Sequence, residues 1–151
     1  MSKQAWGNAT WFIMHTLAHK LLPEHVDKVP LLLQQFENIC RNLPCPDCAK
    51  HASQMFDSAK RHLVVDKESL IRFLHELHNV VNIKLGKQCI SLEECNNKYS
   101  NGRTVIIIRH FFQVFTRIKS HERAMIYGFR RQQCLQGFAI FMDKNLRMFI
   151  A

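Results

Sequence analysis

The chain has 151 residues, 47% hydrophobic and 22% charged, the balance of one globular domain that can bury roughly 70% of its unfolded surface, which excludes a disordered chain or a bare peptide. The longest apolar runs are five residues (138–142) and four (105–108), against about 20 for a membrane-spanning helix, so no membrane span is expected. The net charge of +9 is uneven: residues 1–102 carry 12 basic and 10 acidic side chains, a net +2, and residues 103–151 carry 9 and 2, a net +7. The opening Met-Ser-Lys-Gln-Ala-Trp-Gly lacks the apolar stretch of a signal peptide, so the chain is expected to stay where it is made.

In chain order, residues 6–22 are rich in apolar and aromatic side chains, with Trp11, His15, Ala18 and Leu22 expected on one helical face before Pro23 ends the segment. From Val29 the apolar positions Leu32, Leu33, Phe36, Ile39, Cys40 and Leu43 keep the i, i+3, i+4 spacing, which predicts a helix with Asp27 as N-cap and Pro44 as stop. Pro46 suits a first helical residue, so a third helix is expected to open at Cys45-Pro-Asp-Cys48 and run to about Lys60. A fourth spans Ser69, a candidate N-cap, to Gly86, a candidate residue just past the helix end. Past the turn signal Tyr99-Ser-Asn-Gly102, residues 104–118 are dense in β-branched and aromatic residues and can be traced with either period, so strand and buried helix both stay open. That segment is too apolar to remain in water and must pack on the bundle, on a dimer mate or on another partner.

Six cysteines are too few for a disulfide-held mini-domain, and the Cys45-x-x-Cys48 pair points to redox or metal chemistry. At a helix N-terminus, backbone N–H groups and the helix dipole lower the pKa of the first thiol, so Cys45 is expected to be the exposed, reactive sulfur and Cys48 the inward one. A thioredoxin-type site needs a proline later in the chain, and Pro23, Pro30, Pro44 and Pro46 all precede or belong to the motif. A zinc site could combine Cys45, Cys48 and His51 with Cys89, Cys95 or His62, although the Cys89 to Cys95 spacing is unusual for the second half of one. On the fourth helix, His75, His78, Asn79, Asn82 and Gly86 form one polar stripe opposite Leu70, Phe73, Leu74, Leu77, Val81 and Leu85. Two imidazoles and two amides without charge suit hydrogen bonds to a buried heteroaromatic ligand. With five glycines and no Gly-x-Gly, a Rossmann-type loop is excluded, and any flavin would have to sit among helices. The basic residues Arg103, Arg109, Arg117, Lys119, Arg123, Arg130 and Arg131 leave a nucleic-acid-binding alternative, against which a solvated basic face is the simpler reading.

Three blocks in register, Trp6-Gly7-x3-Trp11-x3-His15-x2-Ala18, Cys45-Pro-Asp-Cys48-Ala49 and His78-Asn79-x2-Asn82-x2-Leu85-Gly86-Lys87, resemble the FAD-linked sulfhydryl oxidases of the Erv/ALR type. The resemblance covers residues 3 to about 92. It implies an all-α bundle of four to five helices holding FAD at its mouth, in a domain of residues 1–98, with residues 103–151 as a basic C-terminal extension of open structure. It implies protein dithiols as substrates, O2 reduced to H2O2, and a homodimer. Carried over by position, Cys45 and Cys48 are the catalytic pair, with Cys48 nearer the flavin. Lys3, Gly7, Trp11, His15, His78, Asn79, Asn82 and Lys87 are then FAD contacts, Lys3 standing where the family commonly has arginine. No metal is expected. The structural disulfide common in the family is expected to be absent, because its positions hold His75 and Leu92, and no second Cys-x-x-Cys is present to shuttle electrons. That leaves open whether Cys89, Cys95 or Cys134 does so. Compact members similar to this chain are encoded by large DNA viruses, which implies the cytoplasm of an infected host cell ahead of the mitochondrial intermembrane space.

Overall fold

A computed structural model of the chain describes residues 2–118 and 125–151, so Lys119 and Arg123 of the basic third lie outside the described residues. Seven α-helices are described: α1 (Lys3–Lys20), α2 (Val29–Arg41), α3 (Pro46–Ser58), α4 (Lys67–Lys84), α5 (Leu92–Tyr99), α6 (Thr104–Thr116) and α7 (Met125–Asn145). Short 3-10 turns at Pro23–Lys28, Arg61–Leu63 and Leu146–Met148 complete them. The all-α architecture expected from the sequence is the one observed, and among the described residues the sole extended pairing is an antiparallel bridge between Leu21 and Phe149. No described helix is long and apolar enough to cross a membrane.

The helix ends correct several sequence expectations. Asp27 does not cap α2. The 3-10 turn runs straight into the helix, so the N-cap position falls to Lys28, whose backbone is already helical (φ −89°, ψ −2°), whereas a capping side chain needs an extended residue. The helix then ends at Asn42, before Pro44 is reached. On α4 the cap is Asp66 rather than Ser69: Asp66 Oδ1 accepts the Ser69 amide at 2.8 Å, and Ser69 Oγ accepts the Asp66 amide at 3.0 Å. The two together form a reciprocal capping box. Gly86, at φ 68°, takes the left-handed conformation that lets the chain leave α4. Leu22 lies beyond α1, whose cap is the extended Leu21, and α3 stops at Ser58, short of Lys60.

Residues 104–118, ambiguous in sequence, contain helix α6. Its Phe111, Val114 and Phe115, at i, i+3 and i+4, are buried, while Val105 and Ile106 face outward. The helix lies along α1, which also packs on α4 and α5; α2 packs on α3, α4 and α7. Phe111, Phe115, Phe138 and Met142 join Ile13, Met14 and Leu17 in one continuous core, so the apolar C-terminal segment is covered by the bundle of its own chain. At the turn into α6, a Cβ on Gly102 would meet Ile107 Cδ1 at 2.5 Å and Thr16 at 3.2 Å, so a larger residue there would have to push the end of the Ile107 side chain aside.

A consequence of this shared core is that Phe111→Ala, which empties a fully buried site, lowers unfolding stability by about 3–5 kcal/mol. Ile106→Ala, on the exposed side of the same helix, changes it by less than about 0.5 kcal/mol. Chemical denaturation of the two variants distinguishes them, and a Phe111→Ala midpoint equal to wild type would mean that α6 does not share the core.

Candidate active site

One cavity of about 600 Å³ opens between the N-terminal half of α1, the N-terminus of α3 and the C-terminal half of α4, within the roughly 300–1,000 Å³ typical of small-molecule sites. At one wall stand Cys45 and Cys48, joined as a disulfide with Cα atoms 5.2 Å apart. Cys45 is the N-cap of α3, and the Cys48 amide donates to Cys45 Sγ at 3.3 Å. Helix α3 starts here because Pro46 supplies a preset φ where no N–H is needed. Both cysteine residues are partly buried, and the amide contact singles out Cys45. Among the described residues no group of three or more histidine, cysteine or carboxylate side chains gathers in metal-binding geometry.

The opposite wall is aromatic. Trp11 on α1 stacks on His78 of α4, ring centroids 3.9 Å apart and planes 8° from parallel. Asn82, 8% exposed, lies one turn further along α4. Between the walls the lining is largely apolar, with Met14, Leu43, Ala52, Met55, Leu77 and Val81, and three lysines, Lys3, Lys84 and Lys87, against Asp47 give the rim a positive balance. Gly7 also borders the cavity. A Cβ built on it meets nothing within 4 Å, so the space of the missing side chain belongs to the cavity.

Eight of the ten residues assigned from the sequence line this one space: Lys3, Gly7, Trp11, Cys45, Cys48, His78, Asn82 and Lys87. His15 and Asn79 do not. His15 is fully buried behind His78 and bonded to it, Nε2 to Nδ1, at 3.0 Å. Asn79 is engaged with backbone: its Oδ1 accepts the Ile90 amide at 2.9 Å, and its Nδ2 donates to the Ile90 carbonyl at 2.9 Å. His75 Nε2 donates to the same carbonyl at 2.7 Å. The polar stripe of α4 is therefore divided, with His78 and Asn82 toward the cavity and His75 and Asn79 clamping the strand of chain that follows Gly86. The clamp ties α4 to the chain just before Leu92, where the family-type disulfide would have done so.

Lys84 and His51 were absent from the sequence assignment of the cavity. Lys84 follows His78 and Val81 at helical spacing, a signal that was available. His51, one turn beyond Cys48, has its pKa lowered by burial and then by Lys84. The remaining thiols behave differently from the pair. Cys40 lines the cavity, yet burial pushes its pKa up to about 12, and burial takes Cys134 to about 11, so both stay protonated at neutral pH. Cys89 is exposed and Cys95 buried. Of the basic third, Arg103, Arg109, Arg117 and Arg130 are exposed, whereas Arg131 is buried, 6% exposed, and none of them lines the cavity.

A sequence model of the Erv1/Alr family matches residues 8–100, which covers more than half of the chain. The chain belongs to the Erv1/Alr family. Two curated relatives are similar to it, the FAD-linked sulfhydryl oxidase ERV1 of Oryza sativa subsp. japonica, 27% identical over 100 residues, and the protein of the same name from Arabidopsis thaliana, also 27% over 100 residues. The aligned region is 66% of this chain and 51% and 52% of theirs, so the chain spans about half the length of the relatives it matches. No solved structure matches at a significant level. The region matched by the Erv1/Alr model contains the disulfide, the aromatic wall and all of α4, and ends at the turn before α6.

Within this Erv1/Alr site, burial holds the His78 pKa down at about 4, and burial followed by the His78 charge holds His15 well below its ordinary 6.5. Both imidazoles are neutral at pH 7. An unfolded chain takes up protons on these residues below about pH 6.5 while the folded chain does not, so their contribution is complete above pH 6.5 and is lost as pH falls toward 4. Stability measured from pH 7 to 4 should therefore fall less steeply in His78→Gln than in wild type; parallel curves would show that His78 is not held neutral.

Proposed function

We propose that this chain is an FAD-dependent sulfhydryl oxidase that forms disulfides in protein dithiols with O2 as acceptor and H2O2 as product. The observation that carries the reading is one cavity shared by a disulfide at a helix N-terminus, a stacked Trp–His pair, a buried amide and three lysines, in a chain of the Erv1/Alr family. The residues suit the cofactor. Trp11, His78 and Asn82 would hold its rings, Lys3, Lys84 and Lys87 its phosphates, and the open space at Gly7 leaves room for a close approach. When bound, FAD accepts two electrons from a reduced cysteine pair and passes them to O2.

The chain's own part is thiol exchange. A substrate thiolate attacks Cys45 Sγ, the Cys45–Cys48 bond breaks, and Cys48 leaves as a thiolate. The second substrate thiolate then attacks the substrate sulfur of the mixed disulfide, which releases Cys45 and leaves the substrate oxidised and the pair reduced by two electrons. Cys45 leaves readily because the Cys48 amide at 3.3 Å and the α3 dipole stabilise its thiolate. The apolar walls on either side keep bulk water from the sulfurs while the pair is reduced. Residues 1–98 carry this machinery, residues 103–151 act as an extension that covers α1, and the oxidase works as a homodimer.

The purified protein should be yellow. Cys48→Ser should abolish oxygen consumption with dithiothreitol while keeping the visible flavin band; Cys45→Ser should lose oxidation of a protein dithiol. Turnover retained by Cys48→Ser, or a colourless wild-type protein, would overturn the assignment. His78→Ala and Asn82→Ala should lose bound FAD on gel filtration and lower Tm together, since a ligand that binds only the folded chain stabilises it by RT ln(1 + [L]/Kd). Glu76→Ala, exposed on the same helix, should retain both; equal losses in all three variants would point to a helix defect.

A further inference from the structure

Behind the aromatic wall, three groups that lie far apart in sequence form a chain of contacts. Cys95 Sγ on α5 sits 3.7 Å from His15 Nδ1, His15 Nε2 sits 3.0 Å from His78 Nδ1, and His78 lines the cavity. Cys95 and His15 are both fully buried, so water does not compete for the contact between them. The rings are held in place by stacking: His15 on Tyr99 at 4.3 Å and 12°, His78 on Trp11 at 3.9 Å and 8°. A flip of either ring keeps its plane and so its stack, but replaces a bonded nitrogen by carbon and loses the His15–His78 hydrogen bond.

We propose that Cys95 is a positioning residue that sets the tautomers of the His15–His78 pair, so that His78 presents an Nε2–H donor to the cavity ligand. Between two neutral imidazoles joined Nε2 to Nδ1, one nitrogen must donate and the other accept, and the choice propagates to both ends. If His15 Nε2–H donates, His15 Nδ1 is bare and accepts the Cys95 S–H, and His78 is left with its proton on Nε2. In the reverse arrangement His15 Nδ1–H points at a thiol sulfur, a weak acceptor, in place of a weak S–H donor meeting the good acceptor of a bare imidazole nitrogen, and His78 is left with a bare Nε2. The rim decides the same way. Lys3, Lys84 and Lys87 select a ligand with anionic, acceptor-rich groups, which an N–H donor complements and a nitrogen lone pair repels. A hydrogen bond fixing the tautomer of a functional histidine from its far nitrogen is a general device; here a thiol serves in place of the usual carbonyl or carboxylate. The direction of the proton chain stands on the Cys95 contact and the lysine rim, and only the naming of the ligand as FAD rests on the function proposed above.

The test is a long-range 1H–15N spectrum of the full chain labelled at histidine, recorded without and with FAD, on wild type, Cys95→Ala and Cys95→Ser. Wild type should show both rings protonated at Nε2 and bare at Nδ1. Cys95→Ala should shift His15 and His78 toward a mixture of tautomers and raise the FAD Kd by up to about tenfold, the equivalent of about 1.4 kcal/mol. Cys95→Ser, which keeps an X–H donor, should restore the wild-type spectrum and bring the Kd back to within about twofold. A wild-type ring protonated at Nδ1, or a Cys95→Ala spectrum identical to wild type, overturns the proposal. Failure of the wild-type chain to take up FAD would remove the oxidase reading, while the ligand-free spectrum would still decide the role of Cys95.

Discussion

The structure depends on the burial of α1 over most of its circumference. Trp6, Ala9, Ile13, Met14, Leu17 and Ala18 are each under 8% exposed and share one broad face, which the buried Thr10, His15 and Thr16 widen beyond the apolar stripe of a surface helix. Because α4 and α6 pack on it, α1 can neither rotate nor slide without exposing apolar surface to water on one side and colliding on the other. That rigidity is what allows a ring on α1, Trp11, to lie parallel to a ring on α4, His78. It also gives α6 a mechanical role: its described residues line none of the cavity, but it packs along the helix that carries Trp11.

The second fixed wall, the N-terminus of α3, is secured from the helix's other end. Arg41 holds Asp57 at 2.6 Å, and Arg61, just past α3, reaches the buried Glu37 of α2 at 2.6 Å. Glu37 is 5% exposed, so its charge is tolerable only while paired; removing Arg61 would leave the buried carboxylate with Arg41 at 3.6 Å and the Gln34 amide at 3.1 Å, a larger effect than loss of a surface ion pair. The cysteine pair is thus pinned between a proline-started helix end and an ion-paired one, which keeps the disulfide facing the cavity.

Charge is distributed around the site by burial. Imidazoles inside the wall are kept neutral, the Cys40 and Cys134 thiols are kept protonated, and the lysines stay at the rim where water supports them. The result is an apolar slot with neutral donors and acceptors inside and cations at its mouth, suited to an aromatic ring system that carries a negatively charged group.

The amino-acid sequence by itself determined what depends on neighbours three or four residues apart. The helices through α4, the left-handed turn at Gly86 and the helix that starts at the cysteine pair were legible because side chains at helical spacing share a face; that spacing joins His78 to Asn82, whereas Trp11 was placed beside them by the resemblance to the Erv/ALR family and not by any local pattern. The caps were less so. Asp66 and Ser69 both satisfy the local chemistry, and only the course of the chain before α4 makes Asp66 the extended residue. Tertiary structure alone decided the rest. Residues 104–118 fit either period until α1 offers Phe111, Val114 and Phe115 a helical face to bury. The stripe of α4 looks uniform in sequence, and it is the fold of the chain at Ile90 that turns His75 and Asn79 away from the cavity. The contact of Cys95 with His15 joins residues 80 positions apart, and no local pattern encodes it, because its geometry is set by helices packing around α1 and not by spacing along the chain.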